Sequence, residues 1–153
     1  MRLVVQRVSR AQVREGGFLL GEIGRGAAVL VGIGVGDGPE VVDRMADKLL
    51  SLRYFEDADR RTNLAIDEVG GSYLVVSQFT LLADTGRGRR PGFTDAAPPD
   101  AAEPMVARFI ERLRGAGRTV ATGRFGAEME LELVNDGPFT LVLEAGAEGG
   151  GGG

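Results

Sequence analysis

The chain has 153 residues, a formal net charge of −4, and no cysteine or histidine. Those absences remove disulfides, thiol nucleophiles, Ser-His-Asp chemistry and most zinc sites together. Its 43% hydrophobic and 26% charged content matches a globular domain able to bury about two-thirds of its unfolded surface, and no apolar run approaches the roughly 20 residues that span a bilayer.

From the N-terminus, Leu3, Val5 and Arg7 alternate with Val4, Gln6 and Val8, and FLLGEIG follows Gly16-Gly17. This predicts a hairpin over 1–24 rather than a basic and apolar leader, so a cytoplasmic protein is expected. AAVLVGIGVG (27–36) is a continuous apolar run expected of a central strand covered on both faces. Gly38-Pro39 opens a helix whose apolar stripe is Val42, Met45, Ala46, Leu49 and Leu50. A short strand near Leu52–Phe55, a polar turn at Asp57–Thr62 and a strand through SYLVVSQFTLLA (72–83) follow.

DTGRGRRPGFTDAAPP (84–99) is a long surface loop for a compact domain, and such loops often carry function. Asp100 precedes a second helix with Met105, Val106, Phe109, Ile110 and Leu113 on one stripe and Gly115 at its end. Strands near 118–122, 128–134 and 139–144 close the chain, the last two separated by VNDGPFT (134–140), which reads as a turn. A single domain over 1–145 is expected, with a flexible Gly-rich tail over 146–153. The fold class is α/β: a three-layer β/β/α sandwich, or a partly closed barrel of mixed sheet, with two main helices on one side.

Without imidazole, catalysis is left to carboxylates, hydroxyls, backbone dipoles, arginine and groups the substrate brings. SQFTL (77–81) offers Ser77, Gln78 and Thr80 near a strand end. On a regular strand Ser77, Phe79 and Leu81 share one face, and Gln78 and Thr80 the other. These are either ordinary strand residues or a hydroxyl and amide aimed into a pocket, with Thr80 as nucleophile or oxyanion donor. Arg87, Arg89 and Arg90 either clamp phosphates bidentately or keep the loop solvated. Lys48 is the only lysine beside seventeen arginines, which reflects coding bias more than phosphate binding. The negative net charge argues against broad nucleic-acid binding while allowing a local basic patch. Among carboxylates, Asp43 and Asp47 lie four apart and read as a hydrated helix face, and DEVGG (67–71) is the other grouping. No carboxylate triplet suggests a metal site, and no cofactor is expected.

Taken in order, MRLVVQRVSRAQV, ADKLLSLRYFED, VGGSYLVVSQFTLLADTGRGRRPGF, AAPP, ATGRFGAEM and LVNDGPFTL resemble the D-aminoacyl-tRNA deacylases from Met1 to about Glu144. The resemblance implies a homodimer that hydrolyses the ester joining a D-amino acid, or glycine on the wrong tRNA, to the terminal adenosine of tRNA. No membrane or DNA partner is expected. It assigns Ser77, Gln78, Phe79 and Thr80 to one wall of the site and places Met129 near the substrate. Gly137 and Pro138 would enter the partner subunit's pocket through a cis peptide, with Arg7 bracing them. Gly92 stands where many relatives carry serine, so a side chain there is expected to be dispensable, and Phe139 replaces a smaller residue and should point away from the pocket.

An aminoacyl ester is already activated, and positioning alone contributes about 7–11 kcal/mol in the best intramolecular cases, so a missing general base is no obstacle. The favoured mechanism has the amides around Phe79 and Thr80 hold the carbonyl oxygen while the RNA 2′-hydroxyl activates water. The alternatives are Thr80 as nucleophile, a relative with a trans Gly-Pro bond that tolerates some L-substrates, and a non-catalytic RNA-binding homodimer.

Overall fold

One long strand organises the sheet. In the computed structural model, which describes residues 1–146, β1 (Arg2–Glu15) runs antiparallel to three neighbours. Its first half pairs with β3 (Gly26–Gly32) and its second with β2 (Phe18–Ile23), while β8 (Glu130–Glu144) pairs along nearly all of its other edge. Parallel strands β6 (Ser72–Ser77) and β7 (Val120–Thr122) extend the sheet beyond β3. β2 then curls back toward β7: a Cβ on Gly21 would lie 2.8 Å from the Thr122 carbonyl oxygen, so glycine lets the two edges approach. The sheet is therefore mixed and nearly closed, as expected.

Two apolar layers result. Val8, Ala11, Val13, Ala28, Leu74 and Val76 fill the inside of the curl, and the opposite face of the same strands meets both helices. α1 (Pro39–Ser51) buries Val42, Ala46 and Leu49 completely, and α2 (Pro99–Gly115) does the same with Phe109 and Leu113. Each of the larger ones, Val42, Leu49, Phe109 and Leu113, contributes about 1.5–3 kcal/mol relative to exposure. β4 (Arg53–Glu56) and β5 (Thr62–Ala65) form a separate small hairpin whose Tyr54 and Phe55 join this layer. Among the described residues no helix is long and apolar enough to cross a membrane. Of the flexible tail expected over 146–153, residues 147–153 lie outside the described residues.

Three sequence expectations change. The first concerns VNDGPFT, which does not reverse the chain: β8 continues past it and keeps β1 as its neighbour on both sides. Gln6 faces Thr140 and Val8 faces Asn135, so residues 136–139 bulge out opposite Arg7 alone. Pro138 has no amide proton for the ladder, and Asn135 bridges the gap by donating from Nδ2 to the carbonyls of Arg7 at 2.8 Å and Phe139 at 2.9 Å.

The second is the strand expected over 72–83, which stops at Ser77, with Phe79–Leu82 forming a 3₁₀ turn instead. Gln78 N still donates to Val31 O at 2.7 Å, and then Leu81 N turns to Gln78 O at 3.3 Å. The turn fits because Gly32 ends β3 beneath it, where a Cβ would meet Leu81, Leu82 and the Gln78 carbonyl at 2.4–3.1 Å. The predicted sharing of faces among residues 77–81 is therefore lost, and the central strand ends at Gly32 rather than 36.

The third is the hydrated face expected for Asp43 and Asp47. Asp43 accepts from Arg108 Nε and Nη2 at 2.9 and 2.8 Å, and Asp47 from the same atoms of Arg112 at 3.0 and 2.9 Å, joining α1 to α2. Four-residue spacing on both helices puts these pairs in register. The arginine hydrogen bonds hold both carboxyls below their ordinary 3.8, against a smaller opposing desolvation. A depressed folded pKa means the stabilisation is complete above pH 4–5 and is lost as pH falls through the folded value. The melting temperature should therefore fall below about pH 4, and the double variant Asp43→Asn, Asp47→Asn should show a flatter acid limb in thermal scans. An unchanged acid limb would reject the assignment. The DEVGG carboxylates are likewise structural: Asp67 pairs with Arg118 at 3.3 Å, and Glu68 accepts from Ala65 N at 2.7 Å.

Candidate functional site

β6 leaves the sheet between the curled layer and the first turn of α2, and a cavity of about 670 Å³ opens there. Ser77, Gln78 and Phe79 form one wall, Ala102 and Val106 of α2 another, and Phe125, Gly126 and Met129 the side opposite. Met129 is held by a close approach: a Cβ on Gly123 would meet its sulfur at 2.5 Å, and Arg124 N donates to that sulfur at 3.4 Å. The lining is largely apolar with a few convergent polar groups, the usual character of a small-molecule site.

Those polar groups are mostly backbone. In the 3₁₀ turn the amides of Phe79 and Thr80 precede the first internal hydrogen bond, and neither donates to any group among the described residues. Phe79 lines the cavity and Thr80 follows it outside the lining, and two adjacent free N–H groups there are suited to an oxyanion. The Thr80 hydroxyl is exposed, accepts from Gln78 Nε2, and lies outside the cavity lining. Tyr54 and Tyr73 also lie away from the cavity, and burial holds both phenols well above their ordinary 10, so neither ionises near neutral pH. Among the described residues no cluster of three or more His, Cys, Asp or Glu is placed to hold a metal.

The arginine loop is tied at its base. Asp84 and Gly92 exchange both backbone hydrogen bonds at 2.7 and 2.8 Å, leaving Arg87, Arg89 and Arg90 exposed between them. A Cβ on Gly92 would come no closer than 3.9 Å to another group, so the glycine is not required for space. Phe93 then turns back to the cavity and meets Phe79 edge-on at 5.1 Å between ring centroids. The loop that carries the exposed arginines thus returns to the cavity through this aromatic pair.

Arg7, Gly137 and Pro138 are elsewhere. The Gly137–Pro138 peptide is cis, and the bulge that carries it does not line the cavity of its own chain. Arg7, 5% exposed, lies under it: Nε donates to Asp136 O at 3.1 Å, Nη1 to Tyr54 O at 2.9 Å, and the guanidinium covers the Phe139 ring at 4.7 Å. Phe139 itself stacks on Tyr54 at 6.3 Å and stays out of the cavity. Within one chain, then, the structure brings Ser77, Gln78, Phe79 and Met129 to the cavity, but not Thr80, Arg7, Gly137, Pro138 or the three loop arginines.

Sequence reasoning missed Phe93, Phe125, Ala102 and Asn135. Phe93 and Phe125 stand inside RRPGF and GRFGAE, but nothing local in a Gly-rich loop says that its aromatic residue folds inward. Asn135 had a clearer signal, as a side-chain amide two residues before a Gly-Pro pair that cannot complete a ladder.

Residues 4–144 match a family profile described as D-Tyr-tRNA(Tyr) deacylase. The chain is 54% identical to a D-aminoacyl-tRNA deacylase of Anaeromyxobacter dehalogenans (strain 2CP-C) over 145 residues, covering 95% of this chain and 97% of that one. It is 52% identical to the protein of that name from Symbiobacterium thermophilum, covering 95% and 96%. Among solved structures, one titled c-Myc DNA Unwinding Element Binding Protein superposes with a TM-score of 0.90 at 39% identity, covering 96% of this chain and 100% of that one. A probable eukaryotic D-amino acid tRNA deacylase shares the fold at a TM-score of 0.81 and 18% identity, covering 93% and 97%.

Proposed function

Because the chain belongs to the D-Tyr-tRNA(Tyr) deacylase family, we propose that it is a hydrolase that cleaves the ester of D-aminoacyl-tRNA, in the cytoplasm, at the cavity beside Ser77–Phe79. The carrying observation is the pair of unengaged amides at Phe79, which lines an apolar cavity, and at the adjacent Thr80, in a chain without histidine or cysteine. Those amides receive the ester oxygen as negative charge develops on it, and the cavity holds the aminoacyl group against them. The 2′-hydroxyl of the terminal adenosine orients the attacking water, so no side chain acts as base. Arg87, Arg89 and Arg90, exposed on the loop that returns to the cavity at Phe93, take RNA phosphates.

The working unit is a homodimer. β8 is a 15-residue strand with one edge unpaired among the described residues, and its Val134 and Val142 are 40% and 58% exposed, which supports a partner chain pairing along it. The Gly137–Pro138 bulge on that strand enters the partner's cavity and presents backbone to the α-carbon of the substrate. A filter made of backbone excludes an L side chain sterically while ignoring the identity of a D side chain. Glycine, having no side chain, passes the same filter, so glycine mischarged on tRNA is also a substrate.

Single-turnover release of D-tyrosine and L-tyrosine from charged tRNA tests the reading: only the D-ester should be cleaved. Thr80→Ala should keep most of the activity, whereas a substrate with hydrogen replacing the terminal 2′-hydroxyl should lose at least about a hundredfold. An inactive Thr80→Ala with an active 2′-deoxy substrate would transfer the chemistry to Thr80.

A further inference from the structure

Beside the Gly137 bulge lies a second cleft of about 300 Å³, lined by Arg7, Arg25, Arg60, Glu56, Asp136 and Gly137. Its walls are charged, unlike those of the apolar cavity. Arg7 is committed to the carbonyls beneath the bulge and sits 3.6 Å from the Asp136 carboxylate, and Arg60 pairs with Glu56 only loosely, at 3.9 Å. Arg25 has no carboxylate partner and donates no hydrogen bond among the described residues; its guanidinium rests 5.6 Å above the Phe55 ring. Three guanidinium groups facing two carboxylates leave a net positive cleft with the donor fork of Arg25 free.

We infer that Arg25 and Arg60 hold a phosphodiester of the tRNA acceptor end whose ester lies in the partner's cavity. The inference rests on the deacylase reading and on the bulge entering that cavity. If the bulge touches the α-carbon of a substrate bound by the partner, the cleft flanking the bulge faces the RNA as it leaves the same cavity. Such RNA offers two charged non-bridging oxygens on each phosphate, which an arginine fork takes bidentately, and Phe55 beneath Arg25 supports the face of its planar guanidinium. One tRNA then touches both chains: its amino acid and terminal adenosine are bound by one, and a neighbouring phosphate by the other. This seat is separate from the arginine loop, which belongs to the chain holding the ester and returns to that chain's cavity at Phe93.

The test compares D-tyrosyl-tRNA with D-tyrosyl-adenosine, which carries no phosphodiester. The double variant Arg25→Gln, Arg60→Asn should raise KM for the tRNA about tenfold, leave kcat within about twofold, and reduce the salt dependence of binding by about one phosphate's worth. Hydrolysis of D-tyrosyl-adenosine should not change, and Arg25→Lys with Arg60→Lys should recover most of the tRNA affinity. An unchanged KM and salt slope on tRNA, or an equal loss on the adenosine ester, would overturn the assignment. Release of no D-tyrosine from either substrate by the unaltered protein would instead overturn the deacylase reading.

Mixed dimers separate the chains. Pairing an unaltered chain with one carrying both the arginine changes and a cavity-blocking Ala102→Trp should give the raised KM. Placing the two lesions on different chains should give the normal KM at the surviving site. The reverse pattern would put the phosphate on the same chain as the ester and overturn the inference.

Discussion

Gly137→Ala should lower kcat/KM for D-tyrosyl-tRNA by about a hundredfold and reduce the preference for D- over L-substrate, in a protein that still folds. Gly137 has φ +131°, a conformation that side chains rarely adopt, and an added Cβ would lie 2.9 Å from Arg7 Nη2 and 3.2 Å from Phe139 N. A flexible arginine tip would ordinarily give way. This one is held, because Nη1 is bonded to Tyr54 O and Nε to Asp136 O in a residue only 5% exposed. The bulge must shift instead. The backbone strain costs about 1–3 kcal/mol, tolerable against a typical stability of about 5–15 kcal/mol, whereas a displacement near 1 Å at a reacting centre costs about a hundredfold in rate. Urea denaturation with single-turnover kinetics separates the two effects. Full activity in the folded variant would remove the bulge from the site.

The contrast between β6 and α1 shows what the sequence could reveal about this fold. α1 was legible because burial of Val42, Met45, Ala46 and Leu49 follows the helical period, and a period is a local property. β6 read too long because Phe79, Leu81 and Leu82 look like strand residues, and what bends them into a 3₁₀ turn is contact with Gly32, far away in the chain. The Asp43 and Asp47 pairs were invisible for the same reason: their partners lie 65 residues on, and nothing in either helix names the other. At the site, SQFTL stood out by its hydroxyls and amide near a strand end and Met129 only through the family resemblance, and the structure brings Ser77, Gln78, Phe79 and Met129 to one cavity. VNDGPFT shows the opposite case. Its composition indicated an interruption correctly, but Gly-Pro serves equally well to turn a chain or to bulge from a strand. The choice was made by β1, which continues straight beneath it.

Replacing Arg7 by methionine should destabilise the protein by about 3–4 kcal/mol and remove most D-aminoacyl-tRNA hydrolysis, although Arg7 lies outside the cavity of its own chain. The side chain has no substitute as a donor: it serves the carbonyls of Asp136 and Tyr54 and covers Phe139, joining the bulge of β8 to the small β4–β5 hairpin. Methionine fills much of the same space but donates nothing, so two carbonyls lose a charged partner at about 1.5–3 kcal/mol each, partly offset by water reaching the Asp136 side. Arg7→Lys discriminates charge from geometry. A single ammonium can meet one of the two carbonyls at a time, so lysine should recover part of the stability but little of the activity. That split between urea midpoint and kcat/KM is the decisive readout, because a residue needed only for folding would recover both together. Wild-type turnover by Arg7→Met would show that the bulge keeps its place without the arginine, held by Asn135, the β1 ladder and the stacking of Phe139 on Tyr54.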